Sequence, residues 1–190
     1  MLKRFIPLAF IGAMLVTTTC AQRSAVAAAE RISGDNFTIS VNTPNGAHVY
    51  AVSRPSGATL AAIDSGLSEL FAVARKNGYS RRLNYGDYTV FIAKADRTKD
   101  STGAYSPDVA IGAAQYAGSV FDQAGYIYVA GMVVANDPCA FLIAEHTKDL
   151  GRITNVVRYE GEHLVLYHND RQRYLATMDH SKGGAHPILQ

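Results

Sequence analysis

The sequence of 190 residues contains no tryptophan and only two cysteines. Cys20 lies near the N-terminus in a segment that signal cleavage would remove, which leaves Cys139 as a single thiol and excludes an intramolecular disulfide. The neighbours of Cys139 are apolar, which is typical of a buried, unreactive thiol. Serine nucleophile elbows, phosphate-binding loops and paired-cysteine metal motifs are also missing. The sequence therefore indicates none of the enzyme classes that these motifs define.

The chain also lacks a block of basic residues. It has 18 lysine and arginine residues against 16 aspartate and glutamate residues. Lys3 and Arg4 belong to the N-terminal segment, and without them the two totals are equal at 16. A protein that follows a nucleic-acid backbone or an anionic membrane needs clustered positive charge. We therefore expect no nucleic acid as a partner.

The N-terminal segment has the pattern of a bacterial secretory signal peptide. Lys3 and Arg4 precede an apolar run over 5–16, and small residues follow. The run is shorter than the roughly 20 residues of a membrane-spanning helix. The pattern predicts export to the periplasm or the extracellular space, with no transmembrane span in the mature chain.

Three processing sites fit this pattern. Cleavage after Ala21 defines a signal peptide over 1–21, and cleavage after Ala27 is an alternative. The third alternative is a lipid anchor on Cys20. The preceding Thr17-Thr18-Thr19 lacks the leucine and the final Gly, Ala or Ser that are expected of a lipoprotein box. The sequence leaves all three alternatives open.

The rest of the chain predicts a flexible leader over 22–35 and a single α+β domain over 36–190. Asn45-Gly46 lies between two runs of alternating apolar and polar residues, which predicts a β-hairpin. Apolar residues then recur at helical spacing as far as Asn77-Gly78. The expected elements, in chain order, are strands at 37–43 and 47–53, a helix at 58–77, strands at 88–95, 109–116, 126–134 and 141–145, and a helix at 152–177. These elements predict a hairpin, a helix, a mainly antiparallel sheet and a long C-terminal helix packed on one sheet face.

The C-terminal helix carries Glu160 and His163 on the face that should pack inward. Burying ionisable groups is costly unless they are paired, hydrogen-bonded or bound to a metal. The two residues lie about 4.5 Å apart along the helix axis, so their side chains can share one ligand. His168 points about 140° away from His163 and cannot easily join them. We therefore expect further ligands from the chain after the helix, where His180 and His186 are the simplest candidates.

The segment Tyr159-Glu160-Gly161-Glu162-His163 resembles the HExxH helix of zincin metallopeptidases, with the glutamate and the second histidine in place. The resemblance implies a metallohydrolase that cleaves peptides with zinc-activated water, and the signal-peptide pattern adds export. It implies that Glu160 is the catalytic general base and that His163 binds Zn²⁺, for which His180 and His186 would be the further ligands. A peptide would lie extended along an edge strand at 126–134. Tyr159 stands where the family has its first zinc-binding histidine, and Asn169 stands where one branch has a third.

Two other interpretations of the same residues remain open. Glu160 and His163 also form a Glu-x-x-His pair, in which Glu160 binds the metal instead of acting as a base. Alternatively, the polar residues form a buried network that arginines neutralise, and the chain is a non-catalytic exported binding or structural protein. The arginines in question are Arg158, Arg171 and Arg173.

Overall fold

The structure, a computed structural model, describes residues 9–95, 108–112, 126–145, 149–179 and 185–189. These residues form four α-helices, a five-stranded sheet and a two-stranded sheet. The helices are α1 (Ala9–Ser33), α2 (Gly57–Lys76), α3 (Leu150–Asn169) and α4 (Arg171–Thr177). The strands are β1 (Ile39–Asn42), β2 (His48–Ala51), β3 (Tyr88–Ala93), β4 (Val109–Gly112), β5 (Tyr126–Val129), β6 (Gly131–Ala135) and β7 (Cys139–Ala144).

The predicted N-terminal hairpin is confirmed. Strands β1 and β2 pair antiparallel, with Ile39 opposite Ala51. The backbone N–H of Thr43 donates to the carbonyl of Ala47 at 2.9 Å and closes the turn. Gly46 has a φ of +99°, a conformation that glycine adopts without steric cost.

The five-stranded sheet has the order β1-β2-β3-β7-β6. Its two central pairings, β2 with β3 and β3 with β7, are parallel, whereas the outer pairings are antiparallel. The sheet is therefore mixed, and the predicted α+β class is confirmed. Every residue of β3 and β7 is buried, as expected for central strands covered on both faces.

Helices α2 and α3 pack against each other on one face of the sheet. Small residues allow this close approach: a Cβ added to Gly66 would lie 2.7 Å from the carbonyl oxygen of Thr154. The core beneath them includes Leu67 of α2 and Val157 and Leu164 of α3. Helix α2 is long and apolar enough to cross a membrane by composition, but half of the relevant window is buried inside the protein. That composition therefore reflects a core helix.

Helix α1 packs near the other face of the sheet, where it contacts β4, β6 and β7. A flexible leader was expected over 22–35, but the helix continues to Ser33 with Ala25 and Ala29 buried. The physical reason is the helical spacing of Ala25, Ala29 and Ile32, which places three apolar residues on one stripe.

Two expected elements are divided in the structure. The expected strand at 126–134 consists of β5, which pairs with β4 in the small sheet, and β6, which pairs with β7. The expected helix at 152–177 is interrupted at Asp170, which ends α3 and caps α4 by accepting a hydrogen bond from the N–H of Arg173. Of the expected strand at 109–116, the described residues contain 109–112.

Candidate functional site

Helix α3 begins after Asp149, whose carboxylate accepts a hydrogen bond from the backbone N–H of Arg152 at 2.9 Å. Ile153, Val157 and Leu164 are buried in the main core. Glu162 and His163 are also buried on this helix, with 0% and 5% of their surfaces exposed. The C-terminal segment 185–189 lies against them and carries His186.

The carboxylate of Glu162 binds the C-terminal segment through hydrogen bonds. Its Oε1 accepts from the backbone N–H of Ile188 at 3.0 Å, and the N–H of Leu189 also donates to this carboxylate. Its Oε2 is buried without a hydrogen-bond partner among the described residues and lies 3.9 Å from the Nδ1 of His186. Burial raises the pKa of Glu162 to about 7, although the two backbone N–H groups and Arg173 act in the opposite direction.

Three rings lie side by side next to this carboxylate. The ring centroids of His163 and His186 are 4.9 Å apart, and those of His186 and Tyr159 are 4.6 Å apart. His163 is buried, whereas Tyr159 is 42% exposed. The structure therefore brings together two of the three predicted metal ligands, His163 and His186. The third, His180, lies outside the described residues.

Glu160, the predicted catalytic base, makes its hydrogen bond to a different part of the molecule. Its carboxylate accepts from the backbone N–H of Val133 in β6, an edge strand of the five-stranded sheet. The Cγ of Glu160 would lie 2.8 Å from a Cβ added to Gly131, so the glycine makes room for the side chain. Burial raises the pKa of Glu160 to about 8, and the Val133 hydrogen bond lowers it only partly.

Asn169, at the position of a third zincin histidine, joins α3 to the loop before β3. Its side-chain oxygen accepts hydrogen bonds from the N–H groups of Ser80 and Arg81 at 3.1 and 2.9 Å. Its amide nitrogen donates to the carbonyls of Arg81 and Val165. These four hydrogen bonds give Asn169 a structural role.

No group of three or more histidine, cysteine, aspartate or glutamate side chains in the described ranges is arranged so that it could hold a metal ion. The chemistry of Glu162, His163 and His186 nevertheless fits zinc, which binds two imidazoles and one carboxylate in many catalytic sites. The buried Oε2 of Glu162, which accepts no hydrogen bond from the described residues and faces His186 Nδ1 at 3.9 Å, adds to this fit. A bound ion would require these side chains to reorient or a further ligand to join them.

Glu162 was not among the expected site residues, because it falls outside the helix face that the apolar spacing predicts to point inward. The signal that could have identified it is Ile188-Leu189, an apolar pair beyond the polar tail. Ile188 is buried, so the segment that carries it covers Glu162.

Comparison with known proteins gives no further guide to this site: no protein-family model, no curated protein and no solved structure matches the chain.

Proposed function

We propose that the chain is an exported zinc-dependent hydrolase of peptides, whose metal is bound by His163 and His186 together with Glu162. The observation that carries the proposal is the contact of the buried His163 ring with the His186 ring, beside a carboxylate oxygen of Glu162 that has no hydrogen bond among the described residues. Glu162, which lies next to His186, thus takes the place of His180 in the predicted ligand set. The resemblance to zincins and the signal-peptide pattern support the remaining parts.

The electrostatic cost of the cluster favours a cation. Glu162 is fully buried, and an isolated buried carboxylate is strongly disfavoured. A divalent ion beside it would lower its pKa, so that zinc binding at neutral pH would release a proton from the protein. The rings of His163 and His186, whose centroids are 4.9 Å apart, would supply the two imidazole ligands.

Zinc, when bound, supplies a Lewis acid that lowers the pKa of a water molecule. Glu160 is our candidate for proton transfer, because burial raises its pKa to about 8 and so lets it hold and release a proton near neutral pH. Its hydrogen bond to Val133 holds its carboxylate beside β6. An extended peptide that added to the edge of β6 would pass close to this carboxylate.

The deciding experiment is a zinc titration of the tag-free protein by calorimetry in two buffers of different ionisation enthalpy. We expect about one equivalent of zinc and a net release of protons. His163→Ala and His186→Ala should abolish binding. His48→Ala is the matched control, since His48 lies on the hairpin and contacts Asn42. Equal binding by all four proteins, or none by the wild type, would contradict the metal site.

Hydrolysis needs a separate assay. A zinc-loaded protein should cleave a mixture of fluorogenic peptides, and Glu160→Gln should remove the activity while it leaves the zinc content unchanged. An inactive wild-type protein that binds zinc would retain the metal site but overturn the enzymatic part of the proposal.

A specific observation favours a second candidate, a non-catalytic exported protein in which Glu162 holds the C-terminal segment in place. The backbone N–H groups of Ile188 and Leu189 both donate to this carboxylate, and such hydrogen bonds can serve only to attach the segment to α3. This role predicts that Glu162→Gln changes the stability of the protein while zinc has no effect on its thermal unfolding. The zinc proposal predicts stabilisation by the metal in the wild type and its loss in the variant.

A further inference from the structure

We infer that the exported chain is processed between Ala21 and Gln22, so that residues 22–33 remain as a permanent part of the fold. The inference rests on the export part of the proposed function and is independent of the metal site. Its basis is that the second half of α1 is packed in the fold, and cleavage after Ala27 would divide this packed part of the helix.

The buried positions of α1 lie on both sides of Ala27. Ala25 is 2% exposed, Ala29 is fully buried, and Val26 and Ile32 pack against the same apolar cluster. The cluster covers one face of the sheet and contains Phe37, Phe91, Ala93, Val109, Ile111, Ile127, Ala140, Leu142 and Ala144. Cleavage after Ala27 would remove Ala25 and Val26 and expose their neighbours in this cluster to water.

The C-terminal end of α1 is connected to the sheet by hydrogen bonds. Gly34, with a φ of +71°, ends the helix, and its N–H donates to the carbonyl of Glu30 at 2.8 Å. The carboxylate of Glu30 accepts from the N–H of Phe37 at 3.2 Å. Asp35 accepts from the N–H of Lys94, which follows β3, at 2.8 Å. The helix is thus held at its end as well as along its apolar stripe.

Cleavage between Ala21 and Gln22 leaves all of these contacts intact. Its hydrolysis consumes one water molecule, places a carboxyl group on Ala21 and creates a new amino terminus on Gln22. Thr19 and Ala21 supply the small residues that signal peptidases require before the bond. A lipid anchor on Cys20 would preserve the same helix, but Thr17-Thr18-Thr19 departs from the sequence that lipoprotein processing requires.

The test of the processing site is expression of residues 1–190 in a Gram-negative host, followed by mass spectrometry of the protein in the periplasmic and medium fractions. We expect a mature chain that begins at Gln22, including the form in which this glutamine has cyclised. A chain that begins at Ala28, a lipid-modified Cys20, or an uncleaved chain that stays in the cytoplasm would each overturn the inference.

The role of the helix can be tested without export. We expect residues 22–190, produced in the cytoplasm, to unfold cooperatively, and residues 28–190 to unfold at a lower temperature and to bind a hydrophobic dye. Ala29→Glu should have the same effect as the shorter chain, whereas Ala27→Glu should not, because Ala27 is exposed. Equal unfolding temperatures for the two chains would overturn the inference, whatever the result of the zinc titration.

Discussion

The Oε2 of Glu162 lies 3.9 Å from the Nδ1 of His186, and Glu162 is fully buried. The two residues are far apart in the sequence, and the C-terminal segment brings them together because its backbone N–H groups bind the other carboxylate oxygen. An acid with a raised pKa and an imidazole thus share one enclosed site. Because burial raises the pKa of Glu162, we expect the stability of the protein to depend on pH.

The first prediction concerns stability as a function of pH in protein freed of metal by a chelator. Burial raises the pKa of Glu162 to about 7 and that of Glu160 to about 8, from an ordinary value of 4.5. The folded chain therefore holds protons that the unfolded chain releases, so the free energy of unfolding should fall as the pH rises between about 4.5 and 8. Urea unfolding should show a loss on the order of a few kcal/mol across this range.

Two variants identify the groups responsible for this pH dependence. Glu162→Gln should reduce the slope of the profile between about pH 4.5 and 7, and Glu160→Gln should reduce it over the whole interval from about 4.5 to 8, because an amide does not ionise. Glu69→Gln, at an exposed residue that pairs with Arg158, is the control and should leave the profile unchanged. A wild-type stability that rises with pH over this interval would contradict the assignment.

The second prediction concerns the crossing of α2 and α3. A Cβ on Gly66 would lie 2.7 Å from the backbone oxygen of Thr154 and 2.8 Å from the Cβ of Val157, so the helices must separate. We expect Gly66→Ala to destabilise the protein by about 1–3 kcal/mol, as overpacking usually does. Gly57→Ala is the matched control, because a Cβ there meets nothing within 4 Å. Equal urea midpoints for the two variants would show that the helices do not approach so closely.

The third prediction concerns the loop before β3. Asn169→Ala removes the acceptor for the N–H groups of Ser80 and Arg81, and we expect a loss of about 1–3 kcal/mol in the free energy of unfolding. Hydrogen exchange of these two amides should become faster in the variant. Asn155→Ala, at an exposed position of the same helix, should change neither measurement. Unchanged exchange in Asn169→Ala would contradict the contact.

The fourth prediction concerns the C-terminal segment. Ile188 is 5% exposed and packs in the main core, so Ile188→Ala should destabilise the attachment of this segment by about 1–3 kcal/mol. The carboxyl carbon of Glu162, followed by NMR, should then titrate at a lower pH, because the site becomes more accessible to water. Leu175→Ala, at a residue that is 60% exposed, should leave this titration unchanged. A titration that is the same in both variants would show that Ile188 does not enclose Glu162.

Most of the main elements could be predicted from the sequence, because each has a local cause. Asn45-Gly46 between alternating runs specifies the β1–β2 hairpin, and the apolar spacing of α2 specifies a helix of nearly the predicted length. The break between α3 and α4 at Asp170 could not be predicted in this way, since Asp170 fits the helical pattern. The break depends on two contacts of its carboxylate, which caps α4 and accepts a hydrogen bond from Tyr79. Contacts between distant segments thus decided where elements end.

The sequence by itself determined the α+β class, the hairpin and the inward position of His163, because apolar periodicity and turn residues act over a few neighbouring residues. Only the tertiary structure decided which carboxylate lies beside the histidines. Glu160 and Glu162 are two residues apart on one helix, yet the first binds β6 and the second binds the C-terminal segment. The environment of each depends on the strand or segment packed against it, and that packing is set by burial of the whole core.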